Sequence, residues 1–429
     1  MAVMVTTTMR RTVAAFLSLA LSQLGCSASR GGSSQGNPSS DAAILDDANV
    51  HLVDGRAPED AGDDAGGGDA GGGDGGHSDA GHGTEAGPDG GLDTDSGPAS
   101  TGPCDLYGSG GTPCVAAFST VRAMYGSYGG SLYQVRRADN TTQDIGVVSQ
   151  GGVANAAAQD TFCSGTTCTI SIIYDQSGMG NDLTKAPGGS AAYGPNPDIE
   201  AVADALPITI GGHKAYGIHS TPAASWTAGG QTGYRNTNTK GIATGDDPET
   251  EYMVADGTYF NGSCCFDFGN SEMEPVAGGP GNMEAIYFGD CNWWDKGNGS
   301  GPWVMADLEV GVFSQGGTSG ATNSSDLTLG YPFATAMVKG NSATATTGGP
   351  FTIKGANAES GALTTMYDGA RPNGYSPMHK QGGIVLGVGG DNSSTAQGNF
   401  YEGVLTTGYA SSAIDDAVQA NIVAAGYAK

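Results

Sequence analysis

Trp303-Val304-Met305-Ala306-Asp307-Leu308-Glu309-Val310 alternates with the period of a β-strand. Side chains on a strand leave on opposite faces, so Val304, Ala306, Leu308 and Val310 share one face. Trp303, Met305, Asp307 and Glu309 share the other. The first set suits a core; an aromatic ring, a thioether and two carboxylates in a row do not. Two acids beside a tryptophan suit a sugar-cleaving cleft, in which the ring stacks on a sugar face and the acids do the chemistry. A solvated strand face with an incidental Trp is the plainer alternative. Working outward, Thr169-Ile170-Ser171-Ile172-Ile173-Tyr174, Ile384-Val385-Leu386-Gly387-Val388 and Phe400-Tyr401-Glu402-Gly403-Val404-Leu405 are similar short β-rich runs. Gly, Asn, Asp and Ser separate them, and helical periodicity is scarce outside 412–425. This pattern predicts an all-β fold, a two-sheet β-sandwich.

The chain has 429 residues, 75 glycines and a formal charge of -27, totals that mix two unlike regions. Residues 30–102 have almost no apolar content, and Gly, Ala, Ser and Asp dominate them. A run such as Asp60-Ala61-Gly62-Asp63-Asp64-Ala65-Gly66-Gly67-Gly68-Asp69 buries too little surface to offset the entropy of ordering it, which predicts a disordered spacer. As a coil it would reach about 50 Å. A calcium-binding Gly/Asp repeat would need a regular nine-residue period, which is absent. Ahead of it, Arg10 and Arg11 precede an apolar run at 13–21 that is short for a membrane span, so residues 1–25 read as an export signal. Leu24-Gly25-Cys26-Ser27 resembles a lipobox, which would make Cys26 a site of lipidation and the product a cell-surface lipoprotein. Plain secretion is the alternative, and any membrane attachment would be through this anchor. Residues 26–102 are then a linker, and 103–429 one domain, expected as a monomer.

An exported chain meets oxidising conditions, where disulfides are the default. Cys104 and Cys114, and Cys163 and Cys168, fall into two short-loop pairs. Cys264 and Cys265 are adjacent. They either bond to each other, leaving Cys291 odd, or one of them bonds to Cys291. His, Asp and Cys do not cluster at zinc spacings, the six histidines are scattered, and no metal or cofactor is expected. Gly387-Val388-Gly389-Gly390 lacks dinucleotide-loop spacing. No basic patch supports nucleic-acid binding, and the negative charge opposes it. Glu284 and Glu402 read as buried structural acids, the latter sharing a strand face with Phe400 and Val404; Trp303 fits a core as well as a sugar.

Several stretches together carry a resemblance. They include Gly102-Pro103-Cys104-Asp105, Gln159-Asp160-Thr161-Phe162-Cys163, Ile173-Tyr174-Asp175-Gln176-Ser177-Gly178 and Cys264-Cys265-Phe266-Asp267. Met283-Glu284-Ala285-Ile286-Tyr287, Gly301-Pro302-Trp303 and Gly389-Gly390-Asp391-Asn392-Ser393 continue the series. From 103 onward the chain resembles the catalytic domain of glycoside hydrolase family 54, the α-L-arabinofuranosidase B enzymes. The resemblance implies a concanavalin-like or jelly-roll sandwich and a retaining exo-glycosidase acting on arabinose-containing plant polysaccharides such as arabinan and arabinoxylan. It implies Glu309 as nucleophile and Asp391 as general acid/base. It also implies a Cys264–Cys265 disulfide packed against the sugar, with Asp267, Trp294, Asp307 and Gly390 around it. Where the family commonly has two asparagines after the nucleophile, this chain has Val310 and Gly311, and Cys291 matches no family position. A non-catalytic carbohydrate-binding lipoprotein is the alternative of a different class; a β-xylosidase or galactofuranosidase is the rival within enzymes, since pocket shape rather than the acid pair selects the sugar.

Overall fold

The computed structural model describes residues 101–190 and 194–429. The leader, Cys26 and nearly all of the 26–102 linker lie outside the described residues. Two large antiparallel sheets dominate. The first has the order Cys114–Ser119, Gly398–Thr407, Glu249–Ala255, Ala334–Gly340, Phe351–Asn357, Thr364–Gly369, with Ile218–Ser220 also paired to Gly398–Thr407. The second has ten strands, beginning Val312–Phe313, Trp303–Asp307, Glu284–Gly289, Asp267–Ser271, Gly383–Leu386, Tyr234–Asn236, Leu183–Lys185 and Cys168–Ile173. Ser131–Arg137 and Thr142–Gly146 complete it. They pack face to face: Phe268 of the second sheet meets Phe118 and Phe400 of the first at ring-centroid distances of 6.2 and 5.1 Å. The fold is therefore the expected two-sheet sandwich.

All seven residues of Glu249–Ala255 are buried, so both faces of the first sheet are covered. Glu251 faces the second sheet, its Oε1 accepting the Asn270 N–H at 2.8 Å. Tyr252 points the other way and stacks on Tyr107 of the helix Pro103–Ser109. The helix Ser412–Ala424 also lies on that side, where its Asp415 takes the ammonium groups of Lys339 and Lys354 at 2.6 and 2.7 Å. Short pairs join Cys104 to Cys114 and Cys163 to Cys168.

Two local readings need correction. Glu402 does not share a face with Phe400. The register steps from Val254↔Glu402 to Ala255↔Phe400, so a bulge at Tyr401 turns Phe400 toward the second sheet. Glu402 stays on the helix side, where it is wholly buried and bidentate with Arg122 (2.5 and 2.6 Å); the hydroxyls of Tyr427 and Tyr252 donate to it at 2.6 and 3.0 Å. It is structural, as expected, and so is Glu284, buried against Arg371 and Lys380 at 3.1 Å each. Removing one member of a buried pair leaves an uncompensated charge. Glu402→Ala is expected to destabilise the domain by about 3–5 kcal/mol in denaturant unfolding.

The second correction concerns the strand that began this reading. It ends at Asp307. Val304, Ala306 and Leu308 do enter the main core, while Trp303 and Met305 belong to a second apolar cluster with Cys264, Cys265, Tyr287, Cys291 and Val312. Val310, predicted to be core, is 49% exposed. The chain reverses over 308–311, with the Leu308 N–H donating to the Gly311 carbonyl at 3.0 Å, and Val312 returns to pair with Asp307.

Candidate active site

Glu309 therefore reaches its site from a turn. Its φ is +78°, a region that costs a non-glycine residue about 1–3 kcal/mol and that clusters at functional sites. Three hydrogen bonds hold it there. The Glu309 N–H donates to Asp307 Oδ1 (3.0 Å), the Gly278 N–H donates to Glu309 Oε1 (2.8 Å), and the Tyr375 hydroxyl donates to the Val310 carbonyl (2.5 Å).

Asp307 closes the strand with its side chain on the outer face of the second sheet. Its Oδ2 lies 3.1 Å from Cys265 Sγ and 3.9 Å from Cys264 Sγ. Those two cysteines are bonded to each other across a cis peptide. Cys291, buried in the same cluster, takes no part in the three disulfides, and its N–H donates to the Tyr287 hydroxyl at 3.1 Å. Disulfide sulfurs are not thiolate ligands, so the grouping of Cys264, Cys265 and Asp307 is poorly suited to a metal. Asp267, fully buried two strands away, is near enough to Asp307 for the two carboxyls to act on each other, and neither Asp267 oxygen has a hydrogen-bond partner.

Asp391 comes from the turn after Gly383–Leu386. The Ser393 N–H donates to its Oδ1 at 2.8 Å and the Ser393 hydroxyl donates to the same oxygen. Asn392, at φ +67°, donates from its side chain to the Gly194 carbonyl at 2.9 Å, and the Asn392 N–H donates to the Gly389 carbonyl at 3.0 Å. Gly390 separates the two acids. A methyl group on it would collide with Glu272 Oε2 and lie 2.6 Å from Met283 Sδ and 3.0 Å from Glu309 Oε2. Gly390→Ala must therefore push Glu309 or Glu272 aside. Since misplacing a reacting group by about 1 Å can cost 10²-fold, a loss of about that size in kcat/KM is expected from steady-state kinetics, with the melting temperature changed little.

Glu272 and Arg235 were not among the sequence candidates. Glu272 is 1% exposed, next to the last residue of Asp267–Ser271, and its carboxyl stands beside that of Glu309 at Gly390. Arg235, equally buried on Tyr234–Asn236, donates through Nη2 to the Gly390 carbonyl (2.6 Å), the Glu272 carbonyl and Ser271 Oγ (both 3.0 Å). It brings positive charge to Glu272, Glu309, Asp391 and Asp198. Against it stand five gathered acids. Burial, and then their mutual charge, raises the pKa of Asp267, Asp307 and Glu309; for Glu309 the Glu272 carboxyl adds to the rise. Burial also raises Asp391, with the Ser393 hydrogen bonds and Arg235 opposing. The cluster holds fewer negative charges than carboxyls.

Aromatic rings border the acids. Trp294 packs on the disulfide cluster, 3.1 Å from where a Gly311 side chain would begin, and edges Trp293 at 5.9 Å; Trp293 meets Trp226 at 6.4 Å. Trp303 is 4% exposed, its indole N–H donating to the Asn298 carbonyl, so it is core. The structure thus draws Cys264, Cys265, Asp267, Trp294, Asp307, Glu309, Gly390 and Asp391 into one connected site.

A two-sheet sandwich whose outer face gathers acids, a disulfide and tryptophans has the build of a carbohydrate-active domain. Residues 103–428 match the family described as "Alpha-L-arabinofuranosidase B, catalytic", and the chain belongs to that family. It is 56% identical over 332 residues to a probable alpha-L-arabinofuranosidase B of Aspergillus fumigatus, covering 76% of this chain and 62% of that protein. It is 53% identical to alpha-L-arabinofuranosidase B of Aspergillus oryzae over 77% of this chain and 63% of the relative. An arabinofuranosidase/B-xylosidase of Trichoderma koningii is 52% identical over the same shares. A crystal structure of an arabinofuranosidase complexed with arabinofuranosyl-alpha-1,2-xylobiose superposes with a TM-score of 0.71 at 50% identity, covering 76% of this chain and 66% of that one. The chain thus spans about 62–63% of the length of these curated relatives.

Proposed function

We propose that this protein is a retaining exo-glycosidase that releases terminal α-L-arabinofuranose from arabinoxylan- or arabinan-type polysaccharides. The observation that carries the reading is the convergence of Glu309 and the Asp391 turn from unrelated segments: a methyl group on Gly390, the residue before Asp391, would lie 3.0 Å from Glu309 Oε2. In the first step the Glu309 carboxylate attacks the anomeric carbon while Asp391 gives its proton to the departing oxygen, forming a glycosyl ester. In the second, Asp391 takes a proton from water, the water attacks the anomeric carbon, and Glu309 leaves as a carboxylate. The Gly278 N–H favours an ionised Glu309, while burial and the neighbouring acids oppose it and push its pKa up to about 11. Burial keeps Asp391 protonated at a higher pH than an exposed aspartate. Asp307 and Asp267 face the disulfide, where sugar hydroxyls would find acceptors. The exported state, the lipid anchor at Cys26 and a monomeric form belong to this proposal as they stand in the sequence.

The name of the Trichoderma relative favours a second sugar, β-xylose, on the same acid pair. Hydrolysis of an aryl α-L-arabinofuranoside beside the aryl β-xyloside decides between them. The expected outcome is faster turnover of the arabinofuranoside; no turnover of either, with arabinan still bound, would make this a binding protein.

A further inference from the structure

The tryptophans bordering the acids meet on the disulfide cluster, against which both Trp226 and Trp294 pack. Trp294 packs against Gly311, two residues from Glu309. The Trp226 segment is fastened instead to the Asp391 turn: the Gly194 N–H donates to the Trp226 carbonyl (2.7 Å), Asn392 Nδ2 donates to the Gly194 carbonyl (2.9 Å), and the Ala223 N–H donates to the Ser394 carbonyl (2.8 Å). Trp293 bridges the two rings and is 41% exposed, unusual for so large an apolar surface and characteristic of sugar-stacking sites. The direction of the reaction then assigns the occupant. A general acid stands on the leaving-group side of the scissile bond, so what departs lies beside Asp391, where Trp226 is fastened.

We infer that Trp226 and Trp293 form a stacking platform for the leaving-group sugar, a pyranose or furanose ring of the polysaccharide backbone, contiguous with the arabinose-holding pocket at Trp294 and the disulfide. The inference rests on the functional reading above. The two rings meet at 6.4 Å with a tilt of 52°, and the exposed Trp293 offers the larger stacking surface. No hydrogen bond is needed for stacking, so the platform accepts backbones that differ in hydroxyl configuration.

The test compares two substrates with wild type, Trp293→Ala, Trp226→Ala and Trp293→Phe. One is an arabinofuranosyl xylo-oligosaccharide; the other is methyl α-L-arabinofuranoside, whose leaving group has no ring. Trp293→Ala is expected to raise KM for the oligosaccharide about tenfold, with kcat and all methyl-glycoside constants within twofold, Trp226→Ala to raise the oligosaccharide KM at least as much, and Trp293→Phe to recover most of the loss. Equal losses on both substrates, or none on either, would overturn the platform. Xylobiose titrated into the wild type and followed by tryptophan fluorescence gives a reading free of catalysis. Saturable quenching that Trp293→Ala abolishes supports the platform even if neither substrate turns over, and no quenching by the wild type refutes it. Absence of methyl-glycoside turnover in the wild type refutes the glycosidase reading separately.

Discussion

Glu309→Gln is expected to lower kcat for an aryl α-L-arabinofuranoside by at least about 10³-fold while leaving the fold and the binding of arabinose intact. The amide is nearly isosteric and can still accept the Gly278 N–H, so the 308–311 turn survives. What it lacks is the negative charge that forms the ester. A variant that retained more than about a tenth of the wild-type rate would remove Glu309 from the role of nucleophile. Circular dichroism and a melting curve matching the wild type separate lost chemistry from lost structure.

Asp391→Asn is expected to cost about 10²- to 10⁴-fold, the range for removing general acid–base catalysis. The loss should be larger for an oligosaccharide than for a nitrophenyl glycoside, because nitrophenolate departs with little help from a proton. The variant should also change the pH dependence. Burial raises the Asp391 pKa, and the acid form is the one that donates, so wild-type activity is present below that pKa and falls as pH rises through it. The alkaline limb of kcat/KM therefore lies above the ordinary aspartate range, and Asp391→Asn flattens it. An unchanged limb in the variant would assign the proton donor to another member of the acid cluster.

The sandwich was legible because alternation survives wherever one strand face meets the opposing sheet, as at Val304 and Ala306. Its errors fall where the backbone departs from regular pleating. A bulge at Tyr401 moves Phe400 to the other face, and a turn with φ +78° at Glu309 carries Val310 into solvent. Period two has no means of expressing either. Much of the site was legible through motif resemblance, since acids beside Gly-Pro-Trp and Gly-Gly-Asp-Asn-Ser are distinctive. Arg235 was missed because Gly233-Tyr234-Arg235-Asn236-Thr237-Asn238 reads as a loop, although it forms a central three-residue strand. Glu272 was missed because Glu272-Met273-Glu274-Pro275 looks like a solvated acidic turn. The packing of Gly390 and Gly278 around its carboxyl, with the charge of Arg235 nearby, accounts for its burial.

The central claim is that Glu309 forms the bond to the sugar. Incubation with an arabinofuranose-configured cyclic sulfate, followed by intact mass and peptide mapping, tests it most directly. One covalent adduct per chain on the peptide bearing Glu309, absent from Glu309→Gln, is the predicted result. An adduct on another acid, or inactivation with none alongside an anomerically inverted product, would contradict it.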